Sequence, residues 1–201
     1  MPKASAGALL LGGRLSIDFA NSLPASAYSS WEELLDFLLM AGIISPERSA
    51  QLLTLAQAER QSADVLLSKA DRLRTSLREA FAAMVRREAV SLDWVEPIND
   101  LLRITEGHDE LVPDHGKWRF EFVARHDGLD WLLAAIARSA AEIIAEGPQA
   151  RVRLCSNPAC GLFFYDSSRT GRRRWCSMAR CGNRHKVAVF ARRHSSRRRE
   201  A

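Results

Sequence analysis

The sequence lacks any hydrophobic run of the ~18 residues that a membrane-spanning helix needs. The apolar stretch at 34–44 is interrupted by Asp36, and the one that follows Lys3 ends after four residues at Gly12. That second run is shorter than the ~7–15 apolar residues of a signal peptide. These absences predict a cytoplasmic protein, in which thiols stay reduced.

The sequence also lacks the motifs that mark common cofactor sites. It contains no P-loop, no glycine-rich dinucleotide turn and no Gly-x-Ser-x-Gly elbow. We therefore expect a protein that is not an enzyme. With 47% hydrophobic and 26% charged residues, the 201-residue chain can nevertheless form a core, and its length fits one ordinary domain with a small additional module.

Acidic residues are scarce in the last quarter of the chain. Residues 151–201 carry 14 Arg or Lys and only 2 Asp or Glu, for a net charge of +12, whereas residues 1–150 carry 15 and 22, for a net charge of −7. The sign changes near Gly147-Pro148, a strong helix stop. We predict two domains, 1–148 and 149–201, and infer a polyanionic partner for the second.

Helix signals dominate the first domain. Ser30 with Glu33 three residues later fits a capping box, and Ser45-Pro46 fits a second helix start. Apolar residues at three- and four-residue spacing predict a long helix over about 63–88. Residues 14–21 fit either a short strand or a first helix.

Alternation at 117–123 predicts a strand in the same domain. A further helix is expected to begin at Asp127 or Asp130 and to end before Gly147. The predicted fold is therefore mainly α, with a short strand element in the N-terminal domain and a small treble-clef-like zinc module, built from a β-hairpin and a helix, at the C-terminal end.

All four cysteines of the chain lie within 27 residues, in the pattern C-x4-C-x15-C-x4-C. They are Cys155, Cys160, Cys176 and Cys181. Two short-loop pairs separated by a spacer supply the four thiolates of a tetrahedral zinc site, and four protein ligands leave no position open for water. We predict one structural Zn²⁺, with an iron–sulfur centre, disulfides and unbound thiols as the alternatives.

The spacer between the two cysteine pairs has the composition of a hairpin. Residues 162–165 are apolar, 166–171 are polar and contain a glycine, and 172–175 lead back toward the metal. A helix over 182–193 is expected to follow. Its narrow apolar stripe consists of Val187, Phe190 and Ala191.

The basic residues of this module predict nucleic-acid binding, with DNA the favoured partner, because guanidinium groups pair with phosphates bidentately. The candidates are Arg172, Arg173, Arg174, Arg180, Arg184, Lys186, Arg192 and Arg193. A solvated charged face is the alternative. Some of these arginines can instead serve the structure, for example Arg174 by stacking on Trp175.

The run 172–176 (RRRWC), followed by Cys181-Gly182-Asn183-Arg184, resembles the CGNR zinc finger. Further positions that fit this finger are Cys155, Cys160, Phe164, Asp166 and Ser168. Residues 17–22 (IDFANS) resemble the Leu-Asp-Phe-x-Asn-Thr opening motif of the ABATE domain. The resemblance implies a helical domain of proteins classed as bacterial stress-induced transcription regulators, with a ligand-sensing role for residues 1–148.

Two polar residues of that opening motif, Asp18 and Asn21, lie within an apolar stretch. Buried polar groups are costly unless they are paired. We consider both as tentative ligand-binding residues. The alternative is that they cap a helix or tie a loop.

These observations best fit a DNA-binding transcription regulator that senses an unknown ligand. One form of this hypothesis has the protein bind as a homodimer, because paired half-sites increase affinity. An RNA- or protein-binding zinc module is the alternative. A metal-dependent nuclease using Asn183, His185 and His194 has less support. Replacing Cys176 or Cys181 with Ser is expected to unfold the module, and with it nucleic-acid binding, while sparing the helical body.

Overall fold

A computed structural model describes residues 10–22, 30–104, 107–114, 117–124 and 129–197. Within these ranges the fold is mainly α-helical, as predicted, with two small antiparallel sheets. The helices are α1 (Leu15–Asn21), α2 (Trp31–Met40), α3 (Pro46–Ala58), α4 (Arg60–Arg86), α5 (Leu92–Ile104), α6 (Trp131–Ala145) and α7 (Asn183–Arg197). None of the described helices is both long and apolar enough to cross a membrane.

The predicted helix starts are confirmed by their capping bonds. The Ser30 hydroxyl accepts a hydrogen bond from the backbone N–H of Glu33 at 3.3 Å, and the Ser45 hydroxyl accepts one from Arg48 at 3.2 Å. Helix α4 ends at Arg87, which adopts a left-handed conformation with φ 60°. The two serine caps are encoded locally, which explains why the sequence alone predicted these helix starts.

Residues 14–21, which fitted either a strand or a helix, contain α1. Every residue of this helix except Leu15 is buried. It packs against α4 and α6, and the Phe19 ring meets the Phe37 ring of α2 edge-on at 5.2 Å. A helix buried on all sides has no amphipathic period, so the pattern did not distinguish it from a strand.

The strand predicted at 117–123 is present as β2 (Lys117–Ala124). It pairs antiparallel with β1 (Gly107–Asp114), and the register runs from Gly107 opposite Ala124 to Asp114 opposite Lys117. The sequence analysis missed β1. The segment GHDELVPD contains three acidic residues and a proline, and it shows no alternation of apolar and polar residues.

The second sheet joins β3 (Val152–Leu154) to β4 (Phe163–Tyr165), with Val152 opposite Tyr165. Val152, Phe163 and Tyr165 are buried in the same hydrophobic core as α1, α4 and α6. The Phe163 ring lies 6.2 Å from the ring of Phe81 in α4. The core of the helical body therefore continues into the segment that carries the cysteines.

Candidate zinc centre and nucleic-acid interface

The Sγ atoms of Cys155, Cys160, Cys176 and Cys181 all lie within 4.8 Å of one another. The Sγ of Cys176 is 3.6 Å from that of Cys160 and 3.7 Å from that of Cys181. Four thiolates bonded tetrahedrally to zinc at ~2.3 Å stand about 3.7 Å apart. The cluster therefore has the dimensions of a zinc site.

Two short loops deliver the sulfur atoms. Cys155 follows β3 directly, and its N–H donates to the carbonyl of Leu162, just before β4, at 2.9 Å. The second loop begins at Ser177, whose hydroxyl accepts from Arg180 N–H at 3.4 Å, and it winds through one wide helical turn into α7. Cys181 lies in that turn, so the start of the last helix holds the last ligand.

The hairpin differs from the predicted one. The strand at β4 is confirmed, but its partner is β3 rather than residues 172–175. The returning segment is held instead by the fully buried Asp166, whose carboxylate accepts from the N–H groups of Ser168 at 3.1 Å and Arg173 at 2.9 Å. Hydrogen bonds to the Asp166 carboxylate thus hold the returning segment, in place of the backbone pairing that the composition of the spacer predicted.

Asp166 is ionised in this position. Burial opposes ionisation, but the hydrogen bonds from Ser168 and Arg173 outweigh it, together with the charge of Arg153, whose Nε lies 3.0 Å from Oδ2, and they hold the pKa of Asp166 below its usual range. The carboxylate thus fixes the loop that leads into the second pair of cysteines.

The chemistry of two of these thiols, Cys160 and Cys176, also fits zinc. Burial raises the pKa of Cys160 to about 11 and also raises the pKa of Cys176. Thiolates in such surroundings need a cation, and a bound Zn²⁺ would supply it. Because all four positions of a tetrahedral ion are taken by protein sulfur, the site is structural and has no place for a reactive water.

The predicted nucleic-acid residues fall into different environments. Arg173 serves the structure, because its Nε donates to the carbonyl of Trp175 at 2.8 Å, its Nη2 donates to the carbonyl of Cys176, and its guanidinium lies 4.7 Å from the centre of the Phe164 ring. These contacts brace the second cysteine pair, and a contact of Arg173 with phosphate stays a prediction.

The other described candidates are exposed. They are Arg172, Arg174, Arg180, Arg184 and Lys186. The guanidinium of Arg174 lies 5.2 Å from the Trp175 ring, which is the stacking that the sequence analysis raised as an alternative. Arg192 and Arg193 belong to α7, but their side chains lie outside the described part of the chain.

Asp18 and Asn21 lie where α1 meets β4. The Asn21 amide donates to the carbonyl of Phe163 at 2.8 Å and accepts from its N–H at 2.9 Å, as a neighbouring strand would. Asp18 Oδ1 accepts from Gly12 N–H at 2.7 Å, and the Gly12 carbonyl accepts from Tyr165 N–H at 2.7 Å. These bonds tie the body to the zinc module and fit the alternative of a structural role, while ligand binding by Asp18 and Asn21 stays a prediction.

Sequence reasoning missed Gly12. A Cβ at this position would lie 2.5 Å from Cγ2 of Ile17 and 3.0 Å from the backbone N of Asp18. Glycine is therefore required for the chain to pass between α1 and β4 while bonding to both. The only local signal was the pair Gly12-Gly13 before the opening motif, which the sequence alone does not connect to a strand 150 residues away.

The carboxyl of Asp18 makes the stability of this contact dependent on pH. Burial raises the pKa of Asp18 to about 6, although the hydrogen bond from Gly12 opposes the rise. The pKa of Asp18 is higher in the folded protein than in the unfolded chain, so protonation of Asp18 favours the folded protein. This stabilisation is complete below about pH 4 and is lost as the pH rises through 6. We expect a loss of up to about 3 kcal/mol.

Asp18→Asn tests this expectation, because it keeps an acceptor for Gly12 and removes the titration. Urea unfolding of both proteins between pH 4.5 and 7.5 should show the variant gaining stability relative to wild type as the pH rises. Effects of pH on the thiol ligands cancel in this difference. A difference that does not change with pH contradicts the assignment.

Two family models match the chain. Residues 13–147 match ABATE, described as "Putative stress-induced transcription regulator", and residues 151–194 match the CGNR zinc finger. A search of curated proteins found no match. The chain therefore belongs to the ABATE family, and it carries a CGNR zinc finger whose four cysteines form one structural zinc site.

Proposed function

We propose that this protein regulates transcription by binding DNA through the exposed basic side chains of its zinc finger. The observation that carries the proposal is the placement of Arg172, Arg174, Arg180, Arg184 and Lys186 on one small module. They come from three segments, which are the approach to Cys176, the wide turn between Cys176 and Cys181, and the start of α7. A zinc ion bound by the four cysteines would join these segments and keep the positive charges at fixed separations.

The charge balance supports a polyanion as the partner. The only acidic residue of the module among its described residues is Asp166, and it is fully buried with Arg153 and the Arg173 N–H as partners. Its charge is therefore neutralised inside the module. Within residues 149–197 of the module, the exposed arginines and lysine therefore have no exposed carboxylate that competes with phosphate.

We further propose that the finger acts by binding and not by catalysis. A nuclease function would require the His185 side chain to lie beside a metal ion or a reacting phosphate. Its ring instead lies 4.8 Å from the Trp175 ring at an interplanar angle of 37°, and the metal cluster consists of cysteines. The ligand-sensing role of the ABATE domain and a homodimer remain predictions.

Salt dependence tests the DNA-binding proposal. Five phosphate contacts give a slope of about −4.5 in log K against log salt, so affinity should fall several-hundred-fold between about 50 and 200 mM salt. Arg184→Ala combined with Lys186→Ala should weaken binding and make the slope shallower by about two. Arg60→Ala is the matched control, because Arg60 is an exposed arginine of the helical body.

The measurement is fluorescence anisotropy with a duplex at four salt concentrations, with an RNA duplex of the same length as competitor. The proposal fails if the wild type shows no salt-dependent binding to DNA, or if Arg60→Ala has the same effect as the double variant. Tighter binding to RNA than to DNA would move the assignment to RNA.

A further inference from the structure

An open cleft of about 390 Å³ lies beside the second pair of cysteines. Its walls are Arg172, Arg173, Arg174, Trp175 and Met178. Met178 is 51% exposed although it is apolar, and Trp175 is half-buried against the zinc cluster. A large aromatic ring and a thioether are thus presented to solvent on the most basic module of the chain.

The walls of this cleft are held in place by the zinc finger itself. Arg173 donates to the carbonyls of Trp175 and Cys176, and these bonds fix its position in the wall. A Cβ on Gly182 would lie 2.3 Å from Sδ of Met178 and 3.2 Å from Cδ1 of Trp175. Glycine at this position therefore lets both side chains lie against the start of α7.

The chemistry of the cleft is that of a site for a flat aromatic ring. Phosphate needs only positive charge and N–H donors. An indole and a thioether add surfaces that stack on a nucleobase, and every base offers a π-face to them. The exposed guanidinium groups of Arg172 and Arg174 flank the cleft, where they can pair with the phosphates on either side of that base.

We propose that this cleft receives one unstacked nucleobase of the bound nucleic acid. The inference rests on the proposed function and refines its partner. Bases inside a regular duplex are stacked on their neighbours and do not reach such a cleft. The protein should therefore prefer nucleic acid with an unpaired base over a perfect duplex. The Arg174 guanidinium and the His185 ring both lie against the indole in this structure. Both side chains are exposed, so either can move aside or stack on the base.

The test compares three DNA probes of equal length and charge: a perfect duplex, the duplex with one bulged thymine, and the duplex with a bulged abasic site. The perfect duplex carries one added terminal phosphate to match the charge. Base stacking on an aromatic side chain is worth about five- to 100-fold in affinity. The thymine bulge should bind tighter than the abasic bulge by a factor in this range.

Two variants locate the effect. Met178→Ala should reduce the preference for the thymine bulge by about two- to tenfold, with no change in affinity for the perfect duplex or in salt slope. Trp175→Phe keeps a ring against the zinc cluster and should reduce the same preference. Leu154→Ala is the matched control, since Leu154 is an exposed apolar residue of the same module, 45% exposed, outside the cleft. Zinc content is measured for each protein to establish that the finger is folded.

The outcomes separate this inference from the proposed function. Equal binding of all three probes by the wild type overturns the cleft as a base site and leaves DNA binding intact. A loss for Met178→Ala that is equal for all probes, or one that Leu154→Ala reproduces, also overturns it. No binding to any probe at low salt overturns both proposals.

Discussion

Replacing Cys181 with Ser should destabilise the whole protein, and not the zinc finger alone. The sequence analysis expected the helical body to survive this change. The structure predicts otherwise, because Val152, Phe163 and Tyr165 of the finger are buried in the core of the body. Side chains of this size contribute about 1.5–3 kcal/mol each when buried.

The free energy of zinc binding is as large as the net stability of an ordinary domain, so the remaining contacts cannot compensate for its loss. Binding of a structural zinc provides about 10–16 kcal/mol, and an ordinary domain has a net stability of about 5–15 kcal/mol. Without the metal, the cysteine loops that flank β3 and β4 lose their shared anchor, and these two three-residue strands depend only on their own pairing and on contacts with the body. Loosening of the strands would uncover α1 and α4. We expect Cys181→Ser to lower the melting temperature of the helical signal at 222 nm by more than 10 °C, a shift that corresponds to a few kcal/mol.

Thermal denaturation followed by circular dichroism measures this effect. Ser177→Ala is the matched control, because it alters the cap of the same turn without touching a ligand and should cost about 1 kcal/mol. A helical transition that keeps its midpoint after Cys181→Ser would show that the body folds independently, as the sequence analysis supposed.

Asn21→Ala should both lower the stability of the protein, by about 2–6 kcal/mol, and weaken its zinc binding. Asn21 is 2% exposed, and its amide satisfies both the N–H and the carbonyl of Phe163. Removing it leaves two buried backbone groups unpaired, each at a cost of about 1–3 kcal/mol. Because Phe163 belongs to the strand beside the first cysteine pair, the loss reaches the metal site.

Urea unfolding gives the stability, and competition with a chromophoric chelator gives the zinc affinity. Ser22→Ala is the control, since Ser22 is a buried polar residue at the end of the same helix and its hydroxyl donates locally to the carbonyl of Phe19 at 2.6 Å. It should affect stability modestly and leave zinc affinity unchanged. Unchanged zinc affinity in Asn21→Ala would mean that its role is confined to the body.

The parts of the structure that local rules determine were predictable from the sequence. The four ligands follow from cysteine spacing, the starts of α2 and α3 from their serine caps, and the buried face of α4 from its apolar period. Each of these depends on residues that are close together in the chain. The assignment of the CGNR finger rested on the same kind of short-range pattern.

The parts that depend on contacts between distant segments were not predictable. Nothing near Asn21 indicates that its partner is Phe163, and nothing near β4 indicates that its strand partner precedes the first cysteine. The apolar stripe of α7 shows the same limit. Val187 and Phe190 are 68% and 63% exposed, because a period reveals which face is apolar but not whether another element covers it.

We expect the zinc finger and the ABATE domain to form one cooperative unit joined at Gly12, Asp18 and Asn21. Native-state hydrogen exchange by mass spectrometry, with and without a zinc chelator, tests it most directly. Removing zinc should reduce the protection of peptides from α1 and α4 together with that of peptides from residues 151–182. Loss of protection in residues 151–182 alone, with α1 and α4 still protected, would contradict it.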